Sequence, residues 1–327
     1  MAKNNSNLHG AKKAKNDEFY TQLTDIEKEL AHYKDHFKGK VVLCNCNDAL
    51  HSNFAKYFSL NFEFLGLKKL ICTAYKVDGE HGIVCIYEGD KNGNKVPDIE
   101  EWECHTLNGD GGFASDECIE FLKEADIVVT NPPFSLFREY VALLMEYEKK
   151  FLIIGNMNAI TYKEIFPLIK DNQLWLGVSI TSGDRRFDVP NEYPLEAATC
   201  GIDENGTRFI RVKGVRWFTN LDHKKRHEEI DLYKRYLNKS EGEYPKYDNY
   251  DAIEVSKTCD IPMDYDGIMG VPITFLDKYC PTQFEIIDLN PHFFSIVESG
   301  LPKPKQLTLH NVGKKDPYAR VIIKKIA

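Results

Sequence analysis

Long hydrophobic runs are missing from this chain of 327 residues. No stretch approaches the ~20 apolar residues of a membrane span, and the opening MAKNNSNLHGAKKAKNDE has none of the apolar core of a secretion signal. The expectation is a cytoplasmic protein with no membrane partner. Paired cysteines are missing as well. The nine cysteines are scattered without a CxxC, and the spacing of Cys44 and Cys46 suits neither a zinc finger nor a disulfide framework. Reduced thiols are therefore expected throughout. Internal repeats and low-complexity segments are absent. So is an excess of basic charge: the formal net charge is −8. That argues against an indiscriminate nucleic-acid coat and leaves specific binding open, because distribution outweighs the sum.

What is present is a chain long enough for two domains of ~100–200 residues each. Val41 to Cys44, residues 67–75, Asp126 to Thr130, 151–156 and 173–178 read as buried strands. Helical patterns alternate with them: Thr24 to Phe37 with Thr24 as cap, a segment capped by Ser52, CIEFLKEA, FSLFREYVALLMEYEKK and ITYKEIFPLIKDN. In the fourth of these, Leu136, Tyr140, Leu143 and Leu144 mark the buried side. Such alternation makes βαβ units. The expected fold class is α/β, a doubly wound, Rossmann-like, mostly parallel sheet over residues 1–180, with 1–16 a flexible basic arm and 76–105 a hairpin or excursion. From 181 to 327 prolines, glycines, tyrosines and basic residues crowd together. A second, smaller, loop-rich domain is expected there.

One stretch organises the rest: ADIVVTNPPFSLF, residues 125–137. Its apolar strand stops at Asn131-Pro132-Pro133-Phe134, because proline has no N–H for a ladder and fixes φ. The result is a rigid turn just beyond a strand's carboxyl end, where open α/β sheets bind ligands. The Asn131 amide oxygen and a backbone carbonyl form an acceptor pair for a planar NH₂ group, and the Phe134 ring offers a stacking face. This suits methyl transfer to a planar amine. Two acceptors orient the nitrogen for in-line attack on a sulfonium methyl, so that positioning and electrostatics replace a strong base. A strand-ending turn with a core phenylalanine is the plainer alternative. In front of it, the turn from Leu43 to Asp48 can bring backbone groups against a small charged ligand. The loop Asn108 to Phe113 adds close backbone approach at its glycines, an acceptor in Asp110 and an apolar wall in Phe113.

The order of DEFYT, VVLCNCND, GDGGF, DIVVTNPPFSLF, FLIIGN, ITYKE and WLGV, followed by YPKYDNYDAI (244–253) and GVPITFL (270–276), resembles the EcoRI-type DNA adenine-N6 methyltransferases of restriction–modification systems. The likeness runs over nearly the whole chain and fades at 76–105, 181–212 and 285–312. It implies S-adenosylmethionine as donor and N6 of adenine in double-stranded DNA as acceptor, with the adenine flipped out of the helix. By that likeness Asn131 and the Pro132 carbonyl accept the amine hydrogens, Pro133 belongs to the same catalytic motif, and Phe134 stacks on the base. Phe19, Tyr20 and Thr21 fall on the N-terminal donor motif, and Cys44, Asn45, Cys46 and Asp48 on the donor turn. Asp110 and Phe113 would lie by the donor's adenine, with Asn131 at its methyl. Donor motifs before NPPF and recognition after it give the γ order. The likeness breaks in three places: CNCND replaces a glycine-rich donor loop, the strand ending Cys72-Thr73-Ala74-Tyr75 has no ribose-binding carboxylate and offers Tyr75, and Gly112 stands where an acid is usual. It further implies a monomer with no obligate protein partner, a cognate restriction endonuclease as functional counterpart, and GAATTC as the natural guess for the target.

DNA recognition needs phosphate contacts for placement and base-edge contacts for sequence. Arg208, Arg211, Lys213, Arg216, Lys224, Lys225 and Arg226 are candidates for the first. Arg185 and Arg186 are candidates for the second. A solvated basic face is the plainer alternative for many of them. His223 and His227 have a helical metal spacing, but Lys224 and Lys225 between them disfavour a cation, and no metal is expected. Two further functions fit the motif: an amino-methyltransferase acting on RNA or a protein glutamine amide, and a non-catalytic DNA-binding protein on a methyltransferase fold.

Overall fold

The computed structural model describes residues 19–45, 48–76, 79–191, 193–196, 199–236, 244–290, 307–309 and 319–326. The basic arm expected over 1–16 lies outside the described residues. The chain forms two compact units: Met1–Ala159 with Gly177–Asp222, and Ile160–Leu176 with His223–Ala327.

The first unit carries strands β1 (Tyr20–Thr21), β2 (Val41–Cys44), β3 (Lys69–Ala74), β4 (Ile83–Tyr87), β5 (Trp102–Thr106), β6 (Ile127–Thr130) and β7 (Lys150–Asn156). The two-residue β8 (Trp175–Leu176) belongs to the second unit, and β9 (Asp184–Asp188), β10 (Cys200–Ile202), β11 (Arg208–Lys213) and β12 (Val215–Thr219) return to the first. In the main sheet the strand order is β5-β4-β3-β2-β6-β7-β12. The inner strands β3, β2, β6 and β7 are parallel, and β4, β5 and β12 extend them antiparallel. Parallel strands covered on both faces need apolar side chains at every position, and all residues of β2 and β6 are buried.

On one face Val42, Cys44, Leu70, Cys72, Ile127 and Val129 share a core with Ile26, Leu30, Phe54 and Phe58, from the helices Leu23–Leu30 and Asn53–Leu60. The Ser52 hydroxyl caps the second of these, accepting from the Ala55 N–H at 3.2 Å. On the other face the helix Phe137–Glu146 buries Phe137, Tyr140, Val141 and Leu144. Phe137 packs on Phe218 with ring centroids 5.0 Å apart. Gly155 makes room for it, since a Cβ there would stand 2.5 Å from a Phe137 ring carbon. The sheet is doubly wound, as expected.

Several boundaries differ from the sequence pattern. The helix expected over 24–37 spans Leu23–Leu30, is capped at Gln22 rather than Thr24, and gives way to a 3-10 turn at Lys34–His36. The buried Glu29 carboxylate explains why the segment is pinned here: it accepts from the N–H groups of Val178 and Ser179, at 2.8 and 2.6 Å, and from the Tyr33 hydroxyl at 2.9 Å. The later helix begins only after a 3-10 turn at Phe134–Leu136, so Leu136, expected in the buried stripe, is exposed. Residues 76–105 supply β4 and most of β5, an antiparallel pair, which is the hairpin of the two expected alternatives.

The domain boundary expected at 180 falls inside the first unit. Segment 181–222 returns there because β12 pairs with β7 and a small antiparallel sheet, order β1-β9-β11-β10, ties β9 to β1 through Tyr20↔Asp188 and Thr21↔Phe187. These pairings join segments far apart in sequence and leave no local signal. The expectation of reduced thiols throughout also fails. Cys85 and Cys104 stand directly opposite each other on β4 and β5 and form a disulfide.

The second unit holds its own sheet of β13 (Ile253–Glu254), β14 (Ile268–Pro272), β15 (Phe284–Asn290) and β16 (Arg320–Lys325), in the order β13-β14-β16-β15. Its YPKYDNYDAI segment is core material: Tyr247 and Ala252 are buried with Leu307, Leu309 and Ile322. The Glu254 carboxylate is buried and accepts from Arg320 Nε at 3.0 Å and Nη2 at 2.8 Å. The Tyr247 hydroxyl donates to the same carboxylate. Burial foremost, then the carboxylate, drives the Tyr247 pKa far above its ordinary value. A buried ion pair of this kind holds only when its remaining lone pairs are also satisfied.

Candidate active site

At the carboxyl ends of β2 and β6 two turns are locked together. The Thr130 hydroxyl donates to the Asn45 carbonyl, and the Tyr140 hydroxyl donates to the Asn45 side-chain oxygen. The NPPF turn therefore stands beside the turn after Cys44. Leu136 N–H closes it onto the Pro133 carbonyl at 2.9 Å.

Asn131 is buried, 5% exposed. Its Nδ2 donates to the Phe19 carbonyl at 2.7 Å. A carbonyl only accepts, so the amide cannot be turned over, and Oδ1 is fixed as the group left over. That oxygen is buried and has no hydrogen-bond partner. Leaving a buried acceptor unpaired costs about 1–3 kcal/mol, and such an atom calls for an explanation. A donor arriving from outside the chain supplies one.

The ring next to it is equally constrained. Phe134 meets Phe19 with centroids 5.8 Å apart at 73° and Phe187 at 6.4 Å and 90°. Tyr193 closes on Phe19 at 6.1 Å. Phe19, Phe134 and Phe187 carry no titratable group and offer an apolar face to a planar base. Phe19 thus serves twice, by its carbonyl and by its ring. The next residues continue the wall: the Thr21 carbonyl accepts from Asn53 Nδ2 at 2.7 Å, while Thr21 Oγ1 is buried without a partner.

The glycine-rich loop closes the other side. Gly111 has φ +74°, and a Cβ there would lie 2.5 Å from the Ala74 carbonyl oxygen, so only glycine lets the loop lie on the end of β3. Lys76 N–H donates to the Asp110 carbonyl at 2.9 Å, placing Asp110 by Tyr75. Asp110 Oδ1 accepts from Gly112 N–H at 2.9 Å. Phe113 packs edge-on against Tyr140, centroids 4.9 Å apart. Tyr140 therefore joins the Cys44–Asn45 turn, the glycine-rich loop and the helix after NPPF. Sequence reasoning placed it on the buried helix stripe and went no further. The available signal was its hydroxyl, since a tyrosine in an otherwise apolar stripe needs a polar partner.

A donor with an amino-acid arm, a ribose and an adenine fits these surroundings. They offer the unpartnered Thr21 hydroxyl, backbone brought close by Gly111 and an aromatic wall in Phe113. Asp48 has a local role, its Oδ1 accepting from the N–H groups of Leu50 and His51 at 2.9 and 2.7 Å. Cys44 is buried, Tyr75 is exposed, and Cys46 lies outside the described residues.

A family model described as "Adenine-specific methyltransferase EcoRI" matches residues 7–326. The chain belongs to that family. It is 49% identical to the Type II methyltransferase M.EcoRI of Escherichia coli over 334 residues, covering 99% of this chain and 98% of the relative. It is 42% identical to the Type II methyltransferase M.MpnI of Mycoplasma pneumoniae, with 96% of both chains covered. Against M.MgeORF184P of Mycoplasma genitalium the identity is 41%, with 96% of this chain and 97% of the relative covered.

The basic residues of this methyltransferase fall into distinct classes. Arg216 is buried, 3% exposed, and donates to the carbonyls of Val215 and Thr181. It holds the chain in place and does not present its charge to a phosphate. Arg186 lies over the Phe209 ring at 4.4 Å and is paired with Asp188 and Asp203. The hydrogen bond from Arg186 to Asp203 raises the arginine's pKa and holds the Asp203 carboxyl below the usual carboxylate range. Arg211 stands opposite Arg186 in the β9–β11 register and reaches Asp184 at 3.3 Å. Arg185 reaches Asp25 at 4.0 Å, and Arg208 donates to the Tyr193 carbonyl at 2.8 Å. Lys213 is exposed.

In the second unit Arg226 lies over Trp175 at 4.0 Å and donates to Asn172 at 2.7 Å. Lys224 is exposed and Lys225 half-buried. His223 uses both ring nitrogens, Nδ1 accepting from Arg226 N–H at 3.2 Å and Nε2 facing the Leu176 carbonyl at 3.1 Å.

Proposed function

We propose that this adenine-specific methyltransferase transfers the methyl group of S-adenosylmethionine to N6 of an adenine flipped out of double-stranded DNA, and so protects DNA from a cognate restriction endonuclease. The observation that carries the reading is the buried, unpartnered Oδ1 of Asn131. It is an acceptor fixed in place before any substrate arrives. Together with the Pro132 carbonyl it takes the two hydrogens of the amine, which turns the nitrogen lone pair toward the donor. The bound donor supplies the electrophilic sulfonium methyl. Pro132 and Pro133 hold the acceptors still, and Phe134 stacks on the base. Phe19, Tyr20 and Thr21 line the donor's amino-acid end, Cys44, Asn45 and Asp48 shape the turn beneath it, and Asp110, Phe113 and Tyr75 flank its nucleoside. Preorganised acceptors of this kind act without reorganisation at the moment of transfer.

Arg208, Arg211, Lys213, Lys224 and Lys225 place the duplex, and Arg185 and Arg186 read base edges once they exchange a carboxylate for DNA. The protein acts as a monomer and needs no protein partner. Tritiated donor offered with duplex DNA, RNA and protein in separate reactions tests the reading. Label as N6-methyladenine in duplex DNA is expected. Label confined to RNA or to protein glutamine would overturn it.

A further inference from the structure

Four of the nine cysteines form a row, of which Cys44 alone borders the donor turn and Cys72, Cys85 and Cys104 have no part in methyl transfer. Cys44 on β2 is opposite Cys72 on β3, Cys72 is opposite Cys85 on β4, and Cys85 is opposite Cys104 on β5. Residues opposite one another on neighbouring strands point to the same face, with the strands ~4.8 Å apart. The four cysteines therefore share one face of the sheet on four consecutive strands. Cys44, Cys72 and Cys85 are buried at 2%, 0% and 0%, whereas Cys104 is exposed on the edge strand. Cys85 and Cys104 are bonded, and Cys44 and Cys72 are free thiols in contact with each other.

A thiolate breaks a disulfide by attacking one sulfur along the line of the bond, so that the other sulfur leaves on the opposite side. The strand order β3-β4-β5 puts Cys72 and Cys104 on opposite sides of Cys85.

We propose that this row is a thiol–disulfide exchange site, entered at Cys104 by low-molecular-weight disulfides. The Cys72 thiolate attacks Cys85 Sγ. The Cys72–Cys85 bond forms, the Cys85–Cys104 bond breaks, and Cys104 leaves as a thiolate that takes up the proton Cys72 released. No electrons are gained or lost overall. The exposed Cys104 thiol then loses its proton to solvent and attacks a small disulfide, giving a mixed disulfide on Cys104 and a displaced small thiolate that takes up a proton. The inner end of the row is Cys44, one residue before Asn45, so the bridge moves one strand closer to the turn held by Thr130 and Tyr140. The exchange does not depend on the methyl-transfer reading.

The test uses the full-length, non-reduced protein in its folded state. It is incubated with glutathione disulfide or with iodoacetamide, quenched in acid, and mapped by peptide mass spectrometry without reduction. The expected result is a Cys72–Cys85 linked peptide, in molecules whose Cys104 carries glutathione or the alkyl group. Cys72→Ser should keep the Cys85–Cys104 peptide and lose the Cys104 modification. Cys72→Ala, which puts no hydroxyl into the apolar face, is the second variant. The wild-type map decides by itself if neither variant folds. A map showing only Cys85–Cys104 with Cys104 unmodified would overturn the proposal, as would equal modification of Cys104 with and without Cys72.

Discussion

The NPPF turn and the small β1-β9-β11-β10 sheet belong to the same unit, yet their polar groups are in opposite states. Asn131 Oδ1 is buried and unpartnered, fixed by the Phe19 carbonyl on the other side of the amide. The arginines of the sheet are engaged within the chain, Arg186 with Asp188 and Asp203, and Arg211 with Asp184. One region keeps a group waiting at a cost in stability. The other keeps its charges paired with carboxylates of the same chain. The difference separates an acceptor left open from charges already occupied, and basic composition alone does not make that separation.

The comparison breaks most visibly at Asn131. Asn131→Ala should lower methyl transfer on the order of 10²–10³-fold, as removal of one preorganised polar group does, with the salt slope of DNA binding, set by the phosphate contacts, retained. Steady-state and binding assays on the same preparation check this. Arg216→Met comes next. It leaves the carbonyls of Val215 and Thr181 without their donor, at about 1–3 kcal/mol for each buried group, so a large shift of the denaturant midpoint is expected with the salt slope of DNA binding intact. Lys224→Ala should do the reverse, leaving the midpoint in place and reducing the salt slope by about 1.

Two smaller effects sharpen the contrast. Tyr140→Phe keeps the ring against Phe113 and removes the hydroxyl that holds Asn45. A net loss of ~0.5–1.5 kcal/mol should appear as a higher KM for the donor with kcat preserved, measured at saturating DNA. The last concerns pH. Arg186 holds the folded-state pKa of Asp203 below its ordinary value, so the pair contributes stability above the unfolded carboxylate value of ~3.9 and loses it as the pH falls through the folded pKa. The stability difference between wild type and Asp203→Asn should be constant above that value and close on further acidification, as measured by denaturant titration at each pH.

The parallel strands and the NPPF turn were legible in the sequence because each is written locally. An apolar β-branched run ending in two prolines has few other ways to fold. The family's motif order added the donor segments. What stayed hidden depends on register between distant segments. Thr181 as the partner of Arg216, Thr21 opposite Phe187, and the alignment of Cys44, Cys72, Cys85 and Cys104 are all set by which strands meet and at what offset. The same reason moved residues 181–222 into the first unit, although in composition they resemble residues 223–327 of the second.

Whether Asn131 Oδ1 accepts a hydrogen of the target amine can be read from a double-mutant cycle. Wild type and Asn131→Ala bind duplexes that carry, at a mapped target position, either adenine or purine, which lacks the amine. Wild type should prefer adenine, and the preference should collapse in Asn131→Ala. An adenine preference that survives the substitution unchanged would contradict the role assigned to this oxygen.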